Sequence, residues 1–374
     1  MKRKEMQISV NEIVEIAFGT LLNQPSISFF NQICDEVNEI KQGDLFVANH
    51  LKKSPQEVQK EIEEAVQRGA FGILFSGNIA MSDPEVAWIS VEDLEQSLIR
   101  IARHYLIVGN KILFLLNPDE YQIASQIIMP KKNLDCYCGS LVQLVRYILT
   151  SEVAYILYCN ARLNLDSLPK NQQEIKLLSQ DKMEDSNLPF AINSYSLFGI
   201  KIFYKTLDYE IPLPKLFIQP LARVARFCEE YSLEVQMGNL NGITSFKPLY
   251  LDERGFISKP GATNKVLLAC MDINLYEQYL AYFTMYAKWA HLMLFVPQIY
   301  QEIYAPYAEV RCFENHQELF EQLMHEKYNF ALTLGVPTEK FEERFSYRPN
   351  EQNLFEYAHL EDIKSQNLED KGNQ

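Results

Sequence analysis

Asn49 and His50 stand directly after the apolar run Leu45-Phe46-Val47-Ala48, and Asp272 and Asn274 stand directly after a second run at 265–271. Polar side chains at the carboxyl ends of parallel strands are where α/β proteins hold ligands. These four are therefore candidate substrate-binding residues. Gly43 and Asp44, just before the first run, join them. A glycine lets backbone approach a ligand closely, and an aspartate hydrogen-bonds the turn it sits in. Each candidate also has a purely structural reading. Gly43 and Asp44 can serve the turn alone, Asn49 and His50 can lie in a solvated loop, and Asp272 or Asn274 can cap the helix that follows.

The equipment of several reaction classes is missing. His50, His104, His291, His316, His325 and His359 are scattered, without the HExxH spacing that puts two ligands on one helical face. No GxSxG nucleophile elbow occurs, and Ser140, after Gly139, reads as a helix N-cap. Cys136-Tyr137-Cys138 lacks the CxxC spacing of a zinc half-site or redox pair. The seven cysteines are an odd number in a long chain, which argues against a disulfide scaffold. No catalytic residue and no metal ligand set is expected. No glycine-rich phosphate loop of the GxxGxGKT type is present either. The nearest imitation, Gly261-Ala262-Thr263-Asn264-Lys265, comes before an apolar run instead of following one and opening a helix. Asp252, Glu253 and Arg254 form a charged turn before Gly255.

Composition narrows the partners. Apolar residues are 47% and charged residues 22% of the 374, an ordinary globular balance that can bury sizeable cores. The formal net charge of −14 repels nucleic acid and anionic membrane surfaces. The first apolar run is broken by Asn11, Glu12 and Glu15, so it does not read as a secretory signal. No stretch has the length and continuity of a membrane span. A cytoplasmic location is the expectation. The 21 Tyr and 22 Phe belong mostly in cores and seams.

Three α/β parts and a tail position these residues. Residues 1–105 carry helical spacing at 10–22, a turn at Gly43-Asp44, a strand at 45–47, a helix at 56–69, strands at 70–75 and 88–91, and a helix at 91–105. Residues 106–240 are less regular. They hold strands at 111–116 and 153–159, a helix at 139–149, strands at 191–197 and 199–204, and a helix at 217–231. Residues 241–345 alternate strand and helix in the rhythm of a mostly parallel, Rossmann-like sheet: strands at 265–271, 292–296, 308–313 and 330–334, with helices at 275–290, 298–304 and 316–325. Residues 346–374 form a polar tail. On the helix at 275–290, Tyr279, Tyr282, Phe283 and Tyr286 share one face, and Tyr300, Tyr304 and Tyr307 extend the aromatic density. This region fits a core or, where exposed, a protein partner.

The stretch Ile40-Lys41-Gln42-Gly43-Asp44-Leu45-Phe46-Val47-Ala48, with Glu64-Ala65-Val66-Gln67-Arg68-Gly69-Ala70 after it, resembles the N-terminal domain of the Mur ligases. The look is nearest to the type that adds D-alanyl-D-alanine to the UDP-linked muramyl tripeptide. The match covers about residues 30–75. It implies a bacterial three-part α/β protein with a small N-terminal domain, a reduced central domain and a C-terminal Rossmann-like sheet. It also implies a UDP-linked cell-wall precursor as ligand of the first domain. The family's Asp-Ser-Arg motif would fall at Asp35-Glu36-Val37, where the serine and arginine are absent. Its central ATPase domain opens on a phosphate loop and binds magnesium, and neither has a counterpart here. The expectation is a non-catalytic relative that binds precursor or organises peptidoglycan synthesis, with no cofactor. A divergent ATP- and magnesium-dependent amide ligase or transferase, and a generic α/β interaction scaffold, are the alternatives.

Overall fold

The computed structural model describes residues 8–48, 53–159, 173–178 and 183–346. The chain divides into two compact units, residues 1–191 with 219–240, and residues 192–218 with 241–374.

Among the described residues the first unit holds two parallel or mixed sheets and a short antiparallel pair, Ile8–Ser9 with Phe29–Phe30. In the N-terminal sheet the order is Thr20–Leu21, Ala87–Val91, Gly72–Ser76, Leu45–Val47, Ile33–Cys34. The last four strands run parallel, and Thr20–Leu21 adds antiparallel at the edge. Alternation separates its two faces. Leu45, Val47, Leu74, Ala87 and Ile89 face helices Val10–Ala17 and Leu94–Val108. Phe46, Ile73, Phe75 and Trp88 face helix Pro55–Gln67, which starts with a Ser54–Glu57 capping box. The periodicity at 10–22 predicts a longer first helix than the one formed. The helix stops at Ala17 because Phe18 turns left-handed (φ 53°) and the chain joins the sheet at Thr20.

The middle sheet is all parallel, in the order Ile175–Leu177, Ile112–Leu115, Tyr155–Cys159, Leu134–Cys138. Helix Leu141–Thr150 covers one face, and its residues Val142, Val145 and Ile148 continue the core of the N-terminal sheet without a break. Helices Pro118–Ile127 and Ile218–Glu230 belong to the other side, where Phe114 meets Phe227 with ring centroids 4.9 Å apart. The buried Lys111 donates to Ile148 O and Ser151 O, closing the carboxyl end of helix Leu141–Thr150.

The second unit contains an antiparallel meander, Ala191–Tyr195, Ile200–Tyr204 and Leu207–Ile211, and a six-stranded sheet. The order of the latter is Ile257–Ser258, Leu249–Leu251, Lys265–Cys270, Phe330–Leu334, Leu292–Pro297, Glu309–Phe313. Its last four strands are parallel and the first two antiparallel. Leu267, Phe295 and Ala331 pack with Leu319, Leu323, Phe341 and Phe345. An aromatic core of Phe198, Phe246, Tyr279, Phe283 and Phe330 is built around helix Ile273–Tyr286. The fold is α/β with parallel and mixed sheets. Among the described residues no helix is long and apolar enough to cross a membrane.

Candidate functional site

The parallel strands of the N-terminal sheet deliver four chain ends to one edge: Cys34-Asp35, Ala48, Ser76-Gly77 and Val91-Glu92. The carboxyl edge of a parallel sheet is the usual ligand edge of α/β folds. Gly77 sits there with φ +81°, and nothing lies within 4 Å of where a Cβ would be, so its backbone is open to close approach. Asn49 and His50 continue from Ala48 but lie outside the described residues.

Helix Leu141–Thr150 brings one side chain to Asp35 and another to Glu39. Ser140, its N-cap, accepts from Gln143 N and donates its hydroxyl to Asp35 Oδ2 at 2.7 Å. Arg146, two turns on, donates to Glu39 Oε2 at 2.8 Å. Beside them, Cys34 donates to Glu36 O at 3.2 Å. Asp35 and Ser140, with the Arg146–Glu39 pair on the same two segments, form a polar cluster. Nothing local in the sequence announces it, because Ser140 and Asp35 are 105 residues apart. The only signal is that Ser140 opens an amphipathic helix, which accounts for its cap role and not for its second partner.

A carboxylate, a hydroxyl and a guanidinium around open backbone can read hydroxyl and N–H groups of a polar ligand. No activated nucleophile accompanies them. Burial pushes the Cys34 thiol up, and it pushes Cys136, Cys159 and Cys270 up to about 11. Such thiols stay protonated near neutrality and are poor nucleophiles. Among the described residues no group of three or more His, Cys, Asp or Glu could hold a metal ion.

Gly43 and Asp44 are at the opposite, amino-terminal edge of the same sheet. Gly43 has φ +95°, donates to Gly69 O at 2.9 Å and accepts from Asn31 N at 2.8 Å. Asp44, 1% exposed, accepts from Lys41 N at 2.9 Å and Gln32 Nε2 at 2.8 Å. Both residues hold the turn that launches strand Leu45–Val47. Asp272 and Asn274 belong to the second unit. Asp272 is the N-cap of helix Ile273–Tyr286, accepting from Asn274 N at 2.7 Å.

The strand-to-helix junctions bear on phosphate binding. A phosphate loop leaves a helix N-terminus open, so that its N–H groups and dipole face the anion. Five of the described junctions are short and filled by their own side chains: Asp93 accepts from Gln96 N, Asn117 from Glu120 N, Ser140 from Gln143 N, Asp272 from Asn274 N and Asn315 from Glu318 N; Gly335, Val336 and Pro337 lead from strand Phe330–Leu334 into helix Thr338–Phe345 with no side-chain cap. The first strand of the middle sheet, Ile112–Leu115, passes through only Leu116 and Asn117 into helix Pro118–Ile127. Asp119 and Glu120 occupy the first turn of that helix. Glu120 is 4% exposed; it accepts from Asn117 N at 3.0 Å and from Arg223 Nη1 at 3.1 Å. Burial pushes its carboxyl up, while Asn117 and Arg223 draw it back. The undescribed stretches 49–52, 160–172 and 179–182 contain no glycine. Gly261 lies in a turn before strand Lys265–Cys270, and Lys265 donates to Glu326 O at 3.0 Å over the ring of Tyr328. That lysine closes the end of helix His316–His325.

The aromatic face expected on the C-terminal helix is mostly internal. Tyr276, Tyr279, Tyr282 and Phe283 are buried, while Trp289 is 73% and Met285 62% exposed.

No family model matches the sequence, and no curated protein matches it. Solved structures do match. MurF from Acinetobacter baumannii superposes with a TM-score of 0.58 at 10% identity, over 91% of this chain and 99% of that one. The UDP-N-acetylmuramoylalanyl-D-glutamyl-2,6-diaminopimelate–D-alanyl-D-alanyl ligase from Acinetobacter baumannii gives 0.53 at 10% identity, over 92% and 98%. MurF ligase from Thermotoga maritima, solved in complex with ADP, gives 0.51 at 10% identity, over 83% and 95%. At this identity the likeness is one of fold: the chain is built like these ligases along nearly their whole length.

Proposed function

We propose that this protein binds a UDP-linked peptidoglycan precursor without ligating anything to it, and that it acts as a non-catalytic, ligase-shaped component of bacterial cell-wall synthesis in the cytoplasm. The observation that carries this reading is the junction at Asn117. There, a helix end that could face a triphosphate is closed by a capping box and carries two acidic residues. Transfer of a phosphoryl group needs backbone N–H groups, a lysine and a metal gathered around the phosphates. The first turn of this helix offers carboxylates instead. The fold shared with enzymes named for muramyl-peptide ligation supports the precursor as ligand. The cluster of Asp35, Ser140 and Arg146 at the carboxyl edge of the N-terminal sheet supplies a place for its polar end.

Isothermal titration tests both halves. UDP-N-acetylmuramoyl-tripeptide is expected to bind saturably, and Asp35→Ala or Arg146→Ala to weaken it at least tenfold. ATP with magnesium is expected to give no heat and, with precursor and D-alanyl-D-alanine present, no phosphate release. Dipeptide-dependent phosphate release would overturn the non-catalytic half. Absence of precursor binding would overturn the other.

A further inference from the structure

Three cysteines share one face of the middle sheet. Strands Leu134–Cys138 and Tyr155–Cys159 are parallel neighbours, with Cys138 paired to Cys159 and Cys136 to Leu157. Tyr137 and Tyr158 point to the opposite face, where Tyr137 stacks on Tyr147 of helix Leu141–Thr150 at 4.3 Å and lies parallel to Tyr158. By strand alternation Cys136, Cys138 and Cys159 face the other way. Helix Pro118–Ile127 packs against both strands.

We propose that Cys138 and Cys159 are a reversible disulfide site, oxidised by hydroperoxides and reset by small thiols. Paired residues on neighbouring strands have Cα atoms about 4.8 Å apart, inside the span of about 4.4–6.8 Å that a disulfide bridges. Both are the last residue of their strand, and Cys138 is followed by Gly139, so small backbone adjustments there disturb little of the ladder. Their exposures divide the roles. Cys138 is exposed and meets the oxidant first, while Cys159 is 5% exposed and is shielded from everything but its neighbour.

The Cys138 thiolate attacks one peroxide oxygen, the O–O bond breaks, and a sulfenic acid forms with release of water. The buried Cys159 thiol is a weak nucleophile, and it reacts because the sulfenic sulfur is held beside it: its sulfur attacks that sulfur as its proton passes to the leaving hydroxyl. The S–S bond forms, the S–O bond breaks, and a second water leaves with the Cys159 proton. Two thiols lose two electrons and one hydrogen peroxide becomes two waters. Cys136 is two residues from Cys138 on the same strand, and its partner across the ladder is Leu157. Adjacent same-face positions along one strand hold their Cα atoms about 6.6 Å apart, at the far end of the disulfide span, and their parallel Cβ directions bring the sulfurs no closer. It is therefore not the resolving thiol.

The bridge has a structural consequence independent of any ligand. It ties the turn at Gly139-Ser140 to the end of strand Tyr155–Cys159, and Ser140 is the residue that holds Asp35. Oxidation is thus expected to slow amide exchange at the start of helix Leu141–Thr150.

The test is peptide mapping of the full chain after treatment with hydrogen peroxide, blocking of free thiols and proteolysis without reductant. The expected product is a cross-linked pair of peptides, 133–146 joined to 147–162, lighter by two hydrogens than its parts and separated by dithiothreitol. Cys136→Ser is expected to retain the cross-link, and Cys138→Ser and Cys159→Ser each to abolish it. Hydrogen exchange on the oxidised wild type supplies a second readout, with increased protection at Gln143 and Leu144. A cross-link that survives Cys159→Ser overturns the proposal. So does recovery of Cys138 only as sulfinic acid or unmodified thiol.

Discussion

Replacing Gly43 with alanine separates the two roles open to the residue that anchors the family resemblance. An alanine there must keep φ +95°, and its Cβ would fall 2.3 Å from Asn31 Nδ2 and 3.0 Å from Asn31 Cγ. Left-handed backbone costs a non-glycine residue about 1–2 kcal/mol. Asn31 is exposed and can swing away, but it then gives up its 2.9 Å hydrogen bond to Gln42 O, a further loss of about 1 kcal/mol. The total is about 2–3 kcal/mol. For a unit of this size that lowers Tm by roughly 4–12 °C.

Gly77→Ala is the internal control. It shares the left-handed backbone, with φ +81°, but has open space where the Cβ would go, so it should cost only the backbone part. Asn31→Ala combined with Gly43→Ala removes the collision, and a double-mutant cycle should return a coupling of about 1 kcal/mol. Urea unfolding with an unchanged m-value is the assay, alongside precursor titration on the folded variants. Gly43 lies at the amino edge of its strand, away from the Asp35 cluster, so precursor affinity should stay within twofold. Gly43→Ala proving no more destabilising than Gly77→Ala, or losing affinity without losing stability, would refute the turn assignment.

Arg223→Leu leaves Glu120 buried without its cation and should destabilise by about 3–5 kcal/mol, measured by the urea midpoint. Asp44→Ala removes the charged acceptor for Lys41 N and Gln32 Nε2 and should cost about 1–3 kcal/mol through the loss of hydrogen bonds to a carboxylate, seen in the same assay. Ser140→Ala deletes a helix cap together with the bond to Asp35 and should cost about 1–2 kcal/mol, with Ser140→Thr recovering most of it. Burial holds Tyr121 and Tyr282 neutral, pushing both from 10.0 up to about 12. Their stabilising contribution is full below pH 10 and is lost as pH rises toward 12, because the unfolded chain releases those protons first. Alkaline titration should show tyrosinate absorbance rising together with loss of folded circular dichroism, and complete ionisation before unfolding would contradict it.

Periodicity made the C-terminal strands legible because each is a short apolar run between polar helices: Phe330–Leu334 and the helix His316–His325 fall where their spacing puts them. The middle sheet was harder. Strand Leu134–Cys138 alternates Asp135 and Tyr137 with two cysteines, and it reads as polar until helix Leu141–Thr150 covers it. Helix Pro118–Ile127 hides behind Pro118, which looks like a loop signal but stands at the first helical position, where its missing N–H does no harm. Helix Thr338–Phe345 was masked by its charge, since only Phe341 and Phe345 carry its buried face. The strand at 45–47 and its Gly43 turn were visible for local reasons. The Asp35 cluster was not, because its hydrogen bonds depend on how two sheets pack.

The Asn117 junction also bears on the proposal that this ligase-like fold does not use ATP. Had a phosphate loop merely eroded, the helix end would be expected to stay open, with uncapped N–H groups and a neutral first turn. Instead the cap is reciprocal, with Asn117 and Glu120 each satisfying the other's backbone. Glu120 goes on to bind Arg223 from helix Ile218–Glu230, 103 residues later in the chain. The charge of Glu120 is met by Arg223, so what this junction denies a phosphate is space and free N–H groups. Neutralising Glu120 would not reopen the seat. It would strand Arg223 against a weaker partner and leave only Leu116 and Asn117 between strand and helix, too few residues to wrap a phosphate. A phosphate seat at this junction would need an insertion after Leu115 and the loss of the ion pair that anchors helix Ile218–Glu230, so the junction as built serves the stability of the unit.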